Sequence, residues 1–349
     1  MLEAEYVWPF SVPYLLPEPD KIPYTQDYTR KDRLYRHYTG AKYGRARQML
    51  CGIHINYSLK DEFLKTLFET QTEFNNIKDM KDAIYTKLAQ NYRRYMWLIV
   101  YLFGASPYAS KDYVEQRGFK DFDLNRPMRS LRKSPYGYIE TKDIKVRLDS
   151  VEHYLNDLTS YIEAGKLKTA REYYGEVRLK AKLGEDTHKY LREKGVAYIE
   201  FRNVDLNPYC GYGLSLGQLE FFNLFLLYLL SIEKDKSNLG DKIAQETALE
   251  EPFEKSKFYD EGMYLLEGLL KFSEKLNLDK RAEQVKRAYT ALENPELSLS
   301  AKIVKAAPTI EQYQELAHNL GQEQKEKALN KDIKNQKLYK IIRDGKGLF

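Results

Sequence analysis

The sequence predicts an α+β protein with a mostly antiparallel sheet and a helical C-terminal third. Three observations lead there. Strand-like alternation is confined to short stretches in the first two-thirds of the chain. Helix-period apolar patterns fill almost everything after residue 216. Strands and helices do not alternate regularly, as a doubly wound sheet would need.

Each element has its own signal. Residues 1–30 hold Pro9, Pro13, Pro17, Pro19 and Pro23 among tyrosines, so they are extended or turning. Residues 30–47 are strongly basic, with Arg30, Lys31, Arg33, Arg36, Lys42, Arg45 and Arg47. This fits a solvated face or a source of positive potential for anions. Residues 51–59 read as a strand. Residues 61–74 and 80–103 read as helices from their recurring apolar faces. Between 104 and 140, Gly104, Pro107, Gly118, Pro127, Pro135 and Gly137 mark loops and turns. Residues 144–164 read as helix, and 172–182 and 197–205 as strands. From 216 onward the pattern is helical, broken near 238–240, Pro295 and Pro308. The last forty residues are lysine-rich and predict a solvated helix and tail. The expected division is a core over 1–305 and a polar helical tail over 306–349.

Composition excludes several classes. With 349 residues and 43% hydrophobic content the chain can build a sizeable core. Lysine plus arginine is 56 and aspartate plus glutamate 51, an excess of five positives. That is small for a dedicated nucleic-acid binder and compatible with anionic small molecules. Cys51 and Cys210 are too few for a disulfide scaffold or a four-cysteine zinc site, which points to a reducing, cytoplasmic setting. No basic-then-apolar leader opens the sequence. Residues 214–232 have the length of a membrane span, but Gln218, Glu220 and Asn223 interrupt them, so they read as a buried core helix and no membrane partner is expected. Thirty tyrosines suit half-wet pockets, since tyrosine has an apolar body and a polar tip.

Four stretches could carry chemistry. In Gly52-Ile53-His54-Ile55-Asn56-Tyr57-Ser58, alternation puts Gly52, His54, Asn56 and Ser58 on one face and the apolar residues on the other. That suits a pocket floor, and equally a half-exposed sheet face. In Tyr198-Ile199-Glu200-Phe201-Arg202, Glu200 and Arg202 share a face, about 6–7 Å apart. The carboxylate suits a hard cation and the arginine a phosphate, and the pair also suits a cross-strand salt bridge. The loop Ser130-Leu131-Arg132-Lys133-Ser134-Pro135-Tyr136-Gly137-Tyr138 fits either a carboxylate clamp or a basic surface loop. Gly213-Leu214-Ser215-Leu216-Gly217 matches a nucleophile elbow in letters only. Asn207-Pro208 and further loop residues separate it from the preceding strand, and Ser215 with Gln218 fits a helix capping box instead. A serine hydrolase therefore ranks last.

Taken in order, the stretches resemble the bacterial-type glutamate–cysteine ligases. The resemblance runs through Trp8-Pro9, Leu34-Tyr35-Arg36, Tyr43-Gly44, Gln48 and the His54 strand. It continues through Tyr101-Leu102-Phe103-Gly104-Ala105-Ser106-Pro107, Ser130-Leu131-Arg132 with Gly137-Tyr138, and Glu172-x-Tyr174 with Arg178. Tyr198-Ile199-Glu200-x-Arg202-x-x-Asp205-x-Asn207-Pro208 is the strongest block, and Asn294-Pro295-x-Leu297-x-x-Ser300-Ala301 closes it. Coverage is roughly residues 5–305. The resemblance implies a glutamine-synthetase-like ligase core. It implies ATP-dependent joining of the γ-carboxylate of L-glutamate to L-cysteine through an acyl phosphate, with Mg²⁺ as cofactor. It also implies roles: Glu200 and His54 toward metal, His54 and Asn56 toward nucleotide, Arg202 toward the transferring phosphate, and Arg132 toward a substrate carboxylate. Gln48, Tyr138 and Tyr174 would line the cysteine pocket, with Tyr35 and Arg36 near it.

The family pattern places an acidic segment, rich in metal ligands and strands, ahead of the Trp-Pro motif. Here Trp8-Pro9 stands almost at the start. The expectation is an incomplete sheet short of metal carboxylates, completed by an N-terminal segment or a second chain. The alternative is an inactive relative that serves as a nucleotide- or partner-binding module.

Overall fold

The short alternating stretches pair into one sheet, and the apolar helices cover one of its faces. The computed structural model describes residues 5–24, 29–138 and 143–329. Helices α1 (Arg30–Tyr43) and α2 (Arg45–Gln48) come before strand β1 (Ile53–Tyr57). Helices α3 (Asp61–Thr70), α4 (Ile77–Phe103), α5 (Lys111–Arg117) and α6 (Val151–Glu163) follow. Then come β2 (Val177–Lys180), α7 (Thr187–Lys194) and β3 (Tyr198–Val204). The remainder is helical: α8 (Leu216–Ser231), α9 (Gly240–Leu249), α10 (Tyr259–Lys275), α11 (Asp279–Glu293), α12 (Leu299–Ala306) and α13 (Ile310–Leu329).

The sheet has the order β1-β3-β2 and both pairings are antiparallel. This agrees with the expected α+β class. Asn56, Glu200 and Arg178 lie abreast across the three strands. Their neighbours Ile55, Phe201 and Val177 point the other way, onto α4 and α8. There the Tyr92 ring centroid lies 4.2 Å from that of Phe201 and 5.5 Å from that of Phe222. Such aromatic contacts add to the gain from burying apolar area. The other sheet face is left for polar side chains.

The ladder is irregular at one point. Ile53 pairs with Val204 and Ile55 with Phe201, so two residues, Arg202 and Asn203, stand opposite the single His54. A bulge of this kind shifts the alternation of the strand that carries it. Asn203 stays turned toward α4, where its Oδ1 accepts the Tyr92 hydroxyl and its Nδ2 donates to the Met96 carbonyl at 3.4 Å. Val204 is turned inward as well, and Asp205 emerges on the polar side.

Helix α8 is the apolar run that has the length of a membrane span. Phe222, Leu224, Phe225, Leu226 and Leu229 are buried in the core, as expected for a core helix. No helix among the described residues is long and apolar enough to cross a membrane. At its start, Ser215 Oγ accepts the Gln218 N–H at 3.2 Å and Gln218 Oε1 accepts the Ser215 N–H at 3.0 Å. The capping-box reading of Ser215 is therefore borne out.

Several boundaries differ from the sequence reading. The helix expected over 144–164 begins only at Val151, because Ile144, Val146 and Leu148 bury alternate residues of an extended segment and Ser150 caps the helix behind them. Within the region read as loops, Ser110 caps α5, and Gly118 ends it in the left-handed conformation at φ 68°. The strand expected over 172–182 shrinks to β2, preceded by a 3₁₀ turn at Ala170–Glu172. The basic stretch is helix α1, and α7 was not foreseen. Helix α13 is not solvated all round: Tyr313 and Ala317 are buried against Phe10, Tyr108 and Ile303. Part of the expected tail, residues 330–349, lies outside the described residues.

Candidate active site

The polar face of the sheet forms the floor of a cavity of about 440 Å³. His54, Arg178, Lys180, Glu200 and Arg202 rise from it. Strand alternation puts them there, since each is separated from its partner by one inward residue. Three segments make the walls: Tyr35 and Arg36 from α1, residues 48–52 ahead of β1, and Arg132, Lys133 and Tyr138 from the turn-rich loop. Arg171, Tyr174 and Glu176 close the remaining side. Every residue to which the resemblance gave a role is thus gathered in one cavity except Asn56. That residue lies exposed on the same sheet face, opposite Glu200, but outside the walls.

The cavity is strongly cationic. Arg36, Arg132, Lys133, Arg171, Arg178, Lys180 and Arg202 line it against two carboxylates, Glu176 and Glu200. Glu200 Oε1 lies 3.5 Å from His54 Nδ1, and Oε2 lies 3.6 Å from Arg178 and 3.7 Å from Lys180. Burial alone would raise the Glu200 carboxyl. The His54 hydrogen bond and the Arg178, Lys180 and Arg202 charges outweigh it and hold the pKa at about 2. Burial, and then the neighbouring Arg178, push the Arg202 guanidinium down. Arg202 Nε meets His54 Nε2 at 3.4 Å, and its guanidinium lies 5.6 Å from the Tyr174 ring centroid.

Five buried polar atoms of the cavity's side chains lack a hydrogen-bond partner: the Tyr35 hydroxyl, Gln48 Nε2, Arg178 Nε, Arg202 Nη1 and Glu200 Oε2. Orphaned buried donors are costly, at about 1–3 kcal/mol each. Four of the five can donate, two of them from guanidinium groups. That is the complement of a ligand with several anionic oxygens.

Arg132 is positioned from two sides. Its Nη2 donates to the Arg202 carbonyl at 2.7 Å, and Nη1 lies 3.4 Å from both the Val204 carbonyl and Asp205 Oδ1. Asp205 Oδ2 accepts from the Ala105 N–H, Ser106 Oγ and Ser130 Oγ at 2.7–2.9 Å. The bulge that re-aims Asp205 therefore ties the arginine loop to the end of β3. On the far wall the rings of Tyr138 and Tyr174 meet edge to face at 4.9 Å. Burial first, then the neighbouring Tyr174 phenol, raise the hydroxyls of Tyr35 and Tyr138, so both stay protonated donors at neutral pH.

The same contacts test the expected metal. A magnesium ion takes six oxygen ligands at close to octahedral angles. Here Glu200 is the single carboxylate beside His54, with two cations within 3.7 Å of it. Among the described residues no group of three or more histidine, cysteine, aspartate or glutamate side chains is placed to hold a metal. The cavity fits a polyanion and does not by itself make a magnesium site. Sequence reasoning gave no role to Lys133, Arg171, Glu176, Arg178 or Lys180. The alternation Val177-Arg178-Leu179-Lys180 was a usable signal for two of them. The Lys133–Glu176 ion pair, formed across 43 residues, left none.

Fold and cavity together define an α+β protein with a strongly cationic cavity on the open face of its sheet. The chain belongs to the glutamate–cysteine ligase family, whose model matches residues 1–250. It is 33% identical over 337 residues to the glutathione biosynthesis bifunctional protein GshAB of Mannheimia succiniciproducens, covering 94% of this chain and 44% of that one. It is 36% identical over 311 residues to the GshAB of Enterococcus faecalis, covering 86% and 40%. The chain thus spans less than half the length of these curated relatives. Among solved structures, a bifunctional glutathione synthetase from Pasteurella multocida superposes with a TM-score of 0.80 at 31% identity, over 94% of this chain and 42% of that one. A glutamate–cysteine ligase from Francisella tularensis, crystallised with AMP, shares the fold with a TM-score of 0.79 at 23% identity, over 95% and 75%.

Proposed function

We infer that this chain catalyses the ATP-dependent joining of L-glutamate to L-cysteine in the cytoplasm. A γ-carboxylate oxygen of glutamate attacks the terminal phosphorus of ATP and ADP leaves. The cysteine amine then attacks the acyl carbon, and inorganic phosphate and a proton are released. The observation that carries this reading is the set of orphaned donors on Gln48, Arg178 and Arg202, in a cationic cavity of a family member.

The residues divide by position. Arg202, at the centre of the floor, faces the transferring phosphoryl group, where spread cationic charge stabilises the transition state. Arg132 takes a substrate carboxylate. Gln48, Tyr138 and Tyr174 take the cysteine, with Tyr35 and Arg36 beside them, and His54 and Asn56 take the nucleotide. Were magnesium to accompany ATP as its counter-ion, Glu200 would be the carboxylate nearest to hold it, and the ion would neutralise charge on the phosphate oxygens. The same reading gives the sheet a glutamine-synthetase-like arrangement, the ligase core residues 1–305 and the helical extension residues 306–349.

The test is ADP release by the purified chain with ATP, Mg²⁺, glutamate and cysteine, with γ-glutamylcysteine followed by mass. Turnover that needs both amino acids supports the reading. Tight binding of ADP with no turnover under any combination overturns it in favour of a nucleotide-binding module.

A further inference from the structure

Glu172 is a fully buried carboxylate that the reaction leaves unused. It is not part of the cavity wall, yet it stands two residues from Tyr174, which is. Its Oε1 accepts from Lys42 Nζ and the Tyr43 hydroxyl, each at 2.5 Å. The Tyr38 hydroxyl lies 3.1 Å from both carboxylate oxygens, and the Lys168 N–H donates to Oε2 at 2.6 Å. Lys42 also donates to the Lys166 carbonyl at 2.6 Å. All three side-chain donors sit in the last turns of α1.

The other contacts of that helix are made one side chain at a time: the Tyr24 ring packs on His37 at 3.9 Å and against Gly40, and Arg171 and Lys168 lie over the rings of Tyr35 and Tyr38. Among its described residues only Thr39 and Gly40 are buried, so apolar packing cannot fix it in place. Asp32 pairs with Arg171 at 2.8 Å near its start, on the exposed side. Tyr35 lies one turn before Tyr38 on the same helix face, so what fixes Tyr38 also fixes Tyr35. Across the gap, the Tyr174 ring meets the Tyr43 ring edge-on at 5.9 Å.

We propose that Glu172 is a positioning residue: the pin that sets the α1 wall, with Tyr35 and Arg36, against the Tyr174 wall and thereby fixes the width of the acceptor amino-acid pocket. This rests on the function proposed above. The floor residues Glu200, Arg202 and His54 are carried by the sheet and do not depend on the pin.

The test compares Glu172→Gln, Glu172→Asp and the double variant Glu172→Gln with Lys42→Met, which leaves no unpaired charge behind. Glu172→Gln is expected to raise KM for L-cysteine about 10-fold, since small misplacements of positioning groups have effects of that order or larger. KM for ATP and kcat at saturating cysteine should stay within about twofold. Glu172→Asp, which keeps the charge, should fall between wild type and Glu172→Gln. Backbone amides of α1 should exchange faster in Glu172→Gln and in the double variant, while those of α4 stay protected. An unchanged KM for cysteine, or a loss of kcat alone, overturns the proposal. Wild-type protein without turnover would condemn the functional reading, and amide exchange would still decide about the pin: unchanged α1 protection overturns it and faster exchange supports it.

Discussion

Gly52 lies directly against the guanidinium of Arg132, so that a Cβ at position 52 would overlap Cζ, Nη2 and Nε. The glycine is there for space: its side-chain hydrogen leaves the channel through which Arg132 reaches the Arg202 carbonyl and Asp205. Gly52→Ala must push the guanidinium out of that channel. Overpacking of this kind costs about 1–3 kcal/mol, and it breaks a buried ion pair as well. The expected outcome is a lower urea midpoint and a raised KM for glutamate. Arg132→Lys keeps the charge but loses the fork, and should match the KM effect with a smaller loss of stability.

Behind the sheet, the Tyr92 hydroxyl donates to Asn203 at the bulge. Tyr92→Phe removes the donor and leaves a buried amide oxygen unpaired, a loss of about 1–3 kcal/mol. Equilibrium unfolding should show that loss. ADP affinity should change by less than about twofold, because Arg202 keeps its place on the opposite face.

The site was legible where a single local rule decides it. Glu200 and Arg202 share a face because β3 alternates strictly up to that point, and His54 joins them because β1 does too. The bulge was not legible, since nothing in Ile53-His54-Ile55 says that two residues will oppose His54. Helix α1 was missed for a related reason. Its run of arginines, lysines and tyrosines shows no apolar face, and its anchor, Glu172, is about 130 residues away in sequence. The extended segment through Ile144, Val146 and Leu148 was read as helix because its few apolar residues were merged with the true helical pattern that follows Ser150. Local rules found the floor of the cavity and lost the wall that long-range polar contacts hold in place.

Ser215 gives a prediction that separates structure from chemistry. Its hydroxyl accepts a backbone N–H in the capping box of α8. Ser215→Ala should cost about 1 kcal/mol of stability, read from the denaturant midpoint. Turnover at temperatures below unfolding should be unchanged, and a fluorophosphonate probe should leave Ser215 unlabelled.

The cations around Glu200 predict graded effects on anion binding. Lys180→Met removes one charge 3.7 Å from Glu200 without touching Arg202. ADP affinity measured by calorimetry should fall about 3- to 10-fold at low salt, and the difference should shrink as ionic strength rises. Glu200→Ala is a different change. It leaves Arg178, Lys180 and Arg202 unopposed, so ADP should still bind, while ATP turnover should drop about 100-fold or more.

The last prediction concerns acid. Burial by itself would raise the Glu172 carboxyl, but Lys42, Tyr43 and the Lys168 N–H together bring its pKa below the ordinary 4.5. A depressed carboxylate contributes stability that is fully present above its unfolded value and is lost as pH falls through the folded one. The partners do not titrate in that window, since the ammonium of Lys42 and the phenol of Tyr43 are both pushed up. Helix α1 should therefore keep constant amide protection from pH 7 to about 5, once intrinsic exchange is corrected for, and lose it progressively below that. In Glu172→Gln the protection should be low and flat across the range. The exposed Asp32–Arg171 pair supplies the control: Asp32→Asn should retain the acid transition, because a screened surface pair adds about 1 kcal/mol or less. An acid transition that survives in Glu172→Gln and disappears in Asp32→Asn would move the anchor of the helix from the buried carboxylate to the surface pair.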